Sequence, residues 1–167
     1  MPLRLERFAT RTIVRDVPRG MWAFGSVFVL SGLFVLVAAP MSRDWARFSP
    51  LERVGVIVIG LGHFIAGCYS VWRYEATVTT LDHASGEGTH EARRPFHRAG
   101  TLTRFRLGDI RTVEISKHVD GDGDPMYQLR LWLAESRVLA LQSQPAHGIE
   151  RAERSAAALR DALGLTA

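Results

Sequence analysis

The sequence predicts a membrane-anchored α+β protein, in which a hairpin of two apolar helices precedes an antiparallel β-meander or barrel of six to seven strands capped by a C-terminal helix. Three patterns along the 167 residues carry this prediction. Two uncharged apolar stretches come first, short alternating runs follow, and an amphipathic stretch with helical periodicity comes last. The expected organisation is a basic N-terminal tail (1–20), a helical hairpin (21–72) and a soluble domain (73–167).

The two apolar stretches are residues 21–39, "MWAFGSVFVLSGLFVLVAA", and 54–72, "VGVIVIGLGHFIAGCYSVW". Neither carries a charge, apart from a proton that His63 can bind. Each has 19 residues, close to the roughly 20 that cross a hydrocarbon core as a helix. A helix satisfies its own backbone hydrogen bonds where no water is present. We therefore expect a transmembrane hairpin.

A cleaved signal peptide is the competing interpretation of the first stretch, because "VLVAAP" offers small residues at a cleavage position. Pro40 would directly follow the cut, and the apolar run is longer than that of most signal peptides. Both features favour a retained helix.

The positive charge is concentrated beside the apolar stretches. The net charge is +4 and the isoelectric point about 10.0, yet residues 73–167 carry equal numbers of basic and acidic side chains. The tail has five arginines against two carboxylates, and the loop between the stretches has three against two. The positive-inside rule then places both termini in the cytoplasm. The neutral soluble domain gives no indication of a nucleic-acid partner.

The soluble domain shows six short runs of period two, the pattern of half-buried strands. Turn-forming residues separate them, so neighbouring runs are expected to pair as an antiparallel meander. The chain then changes to a period of three and four over 147–163, which predicts an amphipathic helix ended by Gly164. The predicted strands are residues 74–81, 88–97, 101–107, 110–118, 126–134 and 137–143.

The segment "KHVDGDGDPMY", residues 117–127, has the aspartate spacing of a calcium-binding loop. Asp120, Asp122 and Asp124 fit the first three ligand positions, but Pro125 stands where the loop needs glycine and Leu131 where it needs glutamate. Alternating runs flank the segment on both sides. We therefore interpret it as a hairpin turn, with weak cation binding as the alternative.

The stretches "WRYEATVTTLDHASGEGTHEARR", "GTLTRFRLGDIRTVEISKH" and "YQLRLWLAESRVLALQS" resemble bacterial two-span membrane proteins with a pleckstrin-homology-like (PH-like) domain. The middle stretch is similar to a basic strand, a short corner at Leu107, Asp109 and Ile110, and a second strand in that family. The resemblance implies a binding platform for lipids or proteins and carries over no catalytic residue. Some relatives of this layout assist the assembly of photosynthetic membrane complexes.

His63 lies in the middle of the second apolar stretch, where an ionisable side chain is costly and marks a functional site by default. The simplest interpretation is a neutral histidine packed within the hairpin or against a partner. Two functional interpretations are a hydrogen bond to a neighbouring helix and ligation of a haem or chlorophyll-type metal. The other histidines (83, 90, 97, 118 and 147) show no spacing typical of metal ligands.

Two further surfaces are candidates for binding. Glycines and one serine give both apolar stretches small faces that suit close helix packing, within the hairpin or against another membrane protein. A run of basic residues on two consecutive strands suits anionic lipid head groups, with solvated ion pairs as the alternative. The small residues are Gly25, Ser26, Gly32, Gly55, Gly60, Gly62 and Gly67, and the basic run is Arg93, Arg94, His97, Arg98, Arg104 and Arg106.

The expected function is that of a non-catalytic membrane protein whose PH-like domain acts as a scaffold at the cytoplasmic surface. Its expected partners are the bilayer, other membrane protein subunits and anionic lipids, with no resident cofactor. The alternative is an accessory subunit of a larger membrane complex, photosynthetic or otherwise energy-transducing. No nucleotide-binding loop, dinucleotide fingerprint or nucleophile elbow occurs in the sequence, which argues against an enzyme.

Overall fold

The chain forms two compact units in a computed structural model that describes residues 3–95, 100–142 and 146–165. One unit consists of Arg19–Tyr74. The other combines Met1–Pro18 with Glu75–Ala167, so it is built from both ends of the chain.

The first unit is a hairpin of two helices, α1 (Arg19–Met41) and α2 (Pro50–Arg73). Helices of 23 and 24 residues are each about 35 Å long. Only 11% of the most apolar window of each helix is buried inside the protein, whereas the core helix of a soluble protein would be mostly buried. Both helices are long and apolar enough to cross a membrane, and they contain the two predicted spans.

A short connection with a 3₁₀ turn (Arg43–Arg47) leads into α2, whose start is fixed by local hydrogen bonds. The Ser49 hydroxyl accepts from the backbone N–H of Glu52 at 3.4 Å, and the Glu52 carboxylate accepts from the Ser49 N–H at 2.7 Å. Pro50 occupies the first helical position, where it costs no hydrogen bond. This reciprocal cap ends the connection and begins the helix within two residues.

Four glycines bring the two helices into backbone contact. A Cβ atom at Gly32 would lie 2.5 Å from the Phe64 nitrogen, and one at Gly67 would lie 2.5 Å from the Val29 nitrogen. Gly25 and Gly60 complete the contact, so that the seven-residue spacing on α1 matches the same spacing on α2. Small residues at such positions allow the close van der Waals packing on which membrane helices depend.

The other two glycines of α2 lie outside this contact. A Cβ at Gly55 or Gly62 would meet no atom within 4 Å. Of the seven small residues predicted from the sequence, four glycines thus pack the hairpin, Gly55 and Gly62 leave part of α2 flat, and Ser26 is exposed on α1.

Replacing Gly32 with leucine should loosen the hairpin, because even its Cβ would meet the backbone of α2. We expect a loss of roughly 1–3 kcal/mol of stability, as for other overpacked sites. Thermal unfolding of the full chain in mild detergent measures the effect. Gly62→Leu is the matched control, because a Cβ there meets no atom within 4 Å, and it should not lower the melting temperature; equal losses in the two variants would contradict the assigned helix contact.

The second unit contains eight antiparallel strands in two sheets and one helix. The five-stranded sheet has the order β1-β2-β3-β4-β5, and the three-stranded sheet the order β6-β7-β8. The strands are β1 (Arg4–Arg7), β2 (Arg11–Asp16), β3 (Ala76–Asp82), β4 (Glu87–Arg93), β5 (Thr101–Arg106), β6 (Ile110–Val119), β7 (Pro125–Leu133) and β8 (Val138–Ala140), and the helix is α3 (Ile149–Leu163).

One hydrophobic core joins both sheets and α3. Leu81 and Phe105 enter it from the first sheet, Leu131 from the second and Leu159 from the helix. The Thr77 hydroxyl adds a buried hydrogen bond to the Leu141 carbonyl at 2.9 Å, which ties the sheets together.

Six strands and the helix agree with the predicted elements to within a few residues. Gly164 caps the helix with φ of 66°, in the left-handed region.

The N-terminal segment, expected to be a basic tail, instead adds two strands to the sheet. Leu3 and Leu5 pack against the core, and the Arg7 guanidinium pairs with the Asp161 carboxylate of α3 at 2.9 Å. The domain therefore has eight strands in place of the expected six to seven. Its chain is not confined to residues 73–167.

The pairing of β2 with β3 shows where the helical hairpin enters the fold. These strands are hydrogen-bonded neighbours, and their ladder ends with Asp16 opposite Thr77. A direct connection between such residues would be an ordinary tight turn. The chain instead inserts both long helices between Asp16 and Thr77.

Replacing residues 17–76 with an Asn-Gly turn should leave a folded, water-soluble domain, because the turn would connect strands that already pair. Far-UV circular dichroism and a cooperative thermal transition without detergent measure the outcome. A fragment of residues 73–167 is the control. It lacks β1 and β2, exposes the edge of β3 and should aggregate. A soluble, cooperatively folded fragment would contradict the structural role of the N-terminal strands.

Candidate binding surfaces

Strand β5 presents Arg104 and Arg106 on the side of the sheet that faces away from the core. Phe105 lies between them and is only 6% exposed, so the alternation of the strand turns its neighbours outward. The register places Thr89 opposite Arg104 and Glu87 opposite Arg106. Two of the arginines predicted to bind lipid therefore lie on one exposed strand surface.

The position of β5 depends on Gly88 of the neighbouring strand. A Cβ at Gly88 would lie 2.3 Å from a ring atom of Phe105, so the ring occupies the space that a side chain would fill. Aromatic cover of a strand glycine fixes the two strands against each other. This contact holds the flanking arginines of β5 in place.

An open groove of about 310 Å³ lies beside these arginines. Arg137 lines it from the corner between β7 and β8, and nothing in the sequence pattern links that corner to β5. Glu135 and Ser136 turn this corner with φ of 60° and 59°, an uncommon conformation for residues other than glycine. The complete lining is Glu87, Arg104, Phe105, Arg106, Asp109 and Arg137.

The other arginines of the predicted lipid surface are engaged differently. Arg93 pairs with Glu91 at 2.5 Å, and Arg94 pairs with Glu75 at 2.5 Å. Carboxylates at this distance offset the positive charge that a lipid head group would meet. The remaining members of the run, His97 and Arg98, lie outside the described residues.

The basic run also divides along the strands. Arg93 is opposite Ala76, next to the ladder end from which the chain continues into the helices. Arg106 lies at the opposite end of β5, five residues beyond Thr101, or about 17 Å along the strand. The sequence run is thus not one surface: an ion-paired part and an open groove lie at different ends of the sheet.

His63 is exposed on the surface of the helical hairpin. Its Nδ1 atom lies 2.9 Å from the Ile59 carbonyl oxygen, and its ring stacks on that of Phe28 with centroids 5.4 Å apart. A carbonyl oxygen can only accept, so Nδ1 carries the proton and the lone pair of the neutral ring lies on Nε2. Within the described residues Nε2 has no hydrogen-bond partner. The ring therefore presents an acceptor outward.

The aspartate-rich segment forms the connection between β6 and β7. One Asp120 carboxylate oxygen accepts the backbone N–H groups of Asp122 and Asp124, at 3.0 and 2.8 Å. Gly123 has φ of 90°, which its lack of a side chain permits. Hydrogen bonds to the local backbone thus explain why an aspartate occupies position 120. The positive φ explains why a glycine occupies position 123.

His90 is a buried histidine whose side chain forms a hydrogen bond inside the sheet domain. It is 8% exposed, and its Nδ1 atom lies 2.8 Å from the Thr79 hydroxyl oxygen. Burial lowers the pKa of His90 below its ordinary value of 6.5, because the charged ring would lose its hydration. Nothing in the sequence pattern distinguishes this histidine from the exposed ones.

The lowered pKa of His90 predicts that the domain loses stability in mild acid. At a pH between the folded and unfolded pKa values, the unfolded chain binds a proton that the folded chain does not. The contribution of His90 to the free energy of unfolding should therefore be fully present above about pH 6.5. It should be lost as the pH falls through the pKa of the folded state.

Hydrogen exchange of β3 and β4 in the full chain, corrected for intrinsic rates between about pH 7.5 and 5.5, measures this loss. His90→Asn should remove part of the pH dependence, whereas His147→Asn, on an exposed residue, should keep it. A pH dependence that survives unchanged in His90→Asn would contradict the assignment.

Comparison with known proteins gives no match for this chain, either to a family model or to an individual curated sequence. The surfaces described above are therefore interpreted from their own chemistry.

Proposed function

We propose that this chain is a non-catalytic integral protein of the bacterial inner membrane, in which the helical hairpin anchors a PH-like domain that serves as a binding platform on the cytoplasmic side. The observation that carries the proposal is the insertion of two apolar helices between β2 and β3. An anchor placed between paired strands belongs to the domain's own fold, which distinguishes it from a helix attached through a linker.

The PH-like assignment is supported by the order of elements in the second unit. An antiparallel sheet is followed by a second, three-stranded antiparallel sheet, and a C-terminal amphipathic helix packs on their common core. The N-terminal pair of strands is an addition to the layout that the sequence resemblance implies. The binding role rests on the exposed surfaces described above, because a fold by itself does not determine a function.

The anchor's chain path supports one location for the whole domain. The domain contains residues before α1 and after α2, so a hairpin that spans the bilayer leaves both parts on one side. The arginine excess before α1, with Arg73 after α2, favours the cytoplasmic side over the short loop.

A second candidate function, an accessory subunit of a larger membrane complex, is favoured by His63. In a bilayer, an outward acceptor on Nε2 has no water to bond with, so a donor or a metal from a neighbouring component would stabilise it. The flat surface at Gly55 and Gly62 would allow another helix to approach closely. This candidate places the main partner on the hairpin and not on the soluble domain.

Photo-crosslinking in the native membrane separates the two candidates. A crosslinking residue in place of Arg111, an exposed residue of β6, should capture specific companions if the domain is the platform. The same residue in place of Ile65, on the exposed surface of α2, should give lipid adducts or none. After gentle detergent extraction, size separation and mass spectrometry identify the products.

Defined protein adducts only from the Ile65 position, above all with bound tetrapyrrole absorbance that His63→Leu removes, would replace the platform by the accessory-subunit function. A chain that migrates alone, without protein adducts from either position, would contradict the accessory-subunit function and would exclude a protein as the partner of the platform.

A further inference from the structure

Three arginines converge on the groove from two separate parts of the domain. Arg104 and Arg106 come from the last strand of the five-stranded sheet, and Arg137 from the corner of the three-stranded sheet. All three are exposed, and no carboxylate among the described residues lies within 4.0 Å of their guanidinium groups. Their donors are therefore available to a ligand.

The two carboxylates of the groove do not neutralise these arginines. Glu87 is opposite Arg106 in the strand register but forms no ion pair with it. Asp109 accepts the backbone N–H of Arg106 at 3.3 Å, so one of its oxygens is used to hold the corner after β5. Three guanidinium groups against two carboxylates leave the groove with an excess of one positive charge.

The size and chemistry of the groove fit a small anion with several oxygens. A volume of about 310 Å³ is at the lower end of the range for small-molecule sites. The guanidinium fork matches the paired oxygens of phosphate or carboxylate through two parallel hydrogen bonds. A phosphate group has enough oxygens to serve all three arginines at once, whereas a carboxylate has two.

We infer that the groove between β5 and the β7–β8 corner binds a phosphate monoester, with Arg104, Arg106 and Arg137 as donors to the phosphate. Where the ester carries hydroxyl groups beside the phosphate, as glycerol 3-phosphate does, Glu87 and Asp109 accept hydrogen bonds from them. The inference names a ligand class for the platform function and rests on it. A lipid head group and a free metabolite can both supply this chemistry.

The test uses the full chain in nanodiscs and measures hydrogen-exchange protection of residues 101–109 and 134–140. One arm adds glycerol 3-phosphate to nanodiscs of phosphatidylcholine, at constant ionic strength set with chloride. The other arm replaces part of the lipid with phosphatidic acid. Protection by the soluble ester identifies a free ligand, and protection only in phosphatidic acid identifies a lipid head group.

The double substitution Arg104→Gln with Arg137→Gln should weaken binding about tenfold or more, because two charge-assisted contacts are lost. Arg93→Gln with Arg111→Gln removes the same charge from outside the groove and should leave binding within about twofold. Protection in neither arm, or equal weakening in the two double variants, would overturn the inference. Companions crosslinked at the Arg111 position would still support the platform function in that event.

Discussion

The pairing of β2 with β3 is the constraint on which the rest of the structure depends. The ladder runs from Arg11 opposite Asp82 to Asp16 opposite Thr77, and it joins strands that lie sixty residues apart in the sequence. In an antiparallel pair, the end of the first strand lies beside the start of the second. The segment inserted after Asp16 must therefore return to a point beside Asp16, where Thr77 continues the sheet. Two antiparallel helices in backbone contact at their glycines satisfy that condition.

Much of this fold could be predicted from the sequence, since continuous apolar runs and period-two alternation are strong signals. The two N-terminal strands were missed because each is short and rich in arginine, and arginine beside an apolar stretch is also the signal of membrane topology. A usable signal was present: Leu3 and Leu5 alternate with charged residues, and Thr12, Ile13 and Val14 form a β-branched run after a short turn. These patterns are too weak to predict strands by themselves. The strands are recognised only from the pairing of β2 with β3 in the folded chain.

The candidate sites were predictable only in part, because binding surfaces depend on which elements meet. The sequence pattern identified Arg104 and Arg106 but grouped them with Arg93. In the structure, Arg93 forms an ion pair with a neighbouring glutamate. Arg137 is more than thirty residues away from Arg104 in sequence, and only the fold brings it to the same groove. For His63 the apolar context marked the residue, whereas the direction of its free lone pair required the helix geometry.

We propose that a spanning hairpin holds both parts of the sheet domain on one side of the membrane. Labelling with a membrane-impermeant maleimide tests it most directly, in a Cys68→Ala background with either Ser42→Cys, between the helices, or Gly121→Cys, in the β6–β7 turn. In intact spheroplasts we expect labelling of Ser42→Cys alone, and of Gly121→Cys only after permeabilisation. Labelling of both positions from the same side would show that the hairpin does not span the bilayer and would contradict the account.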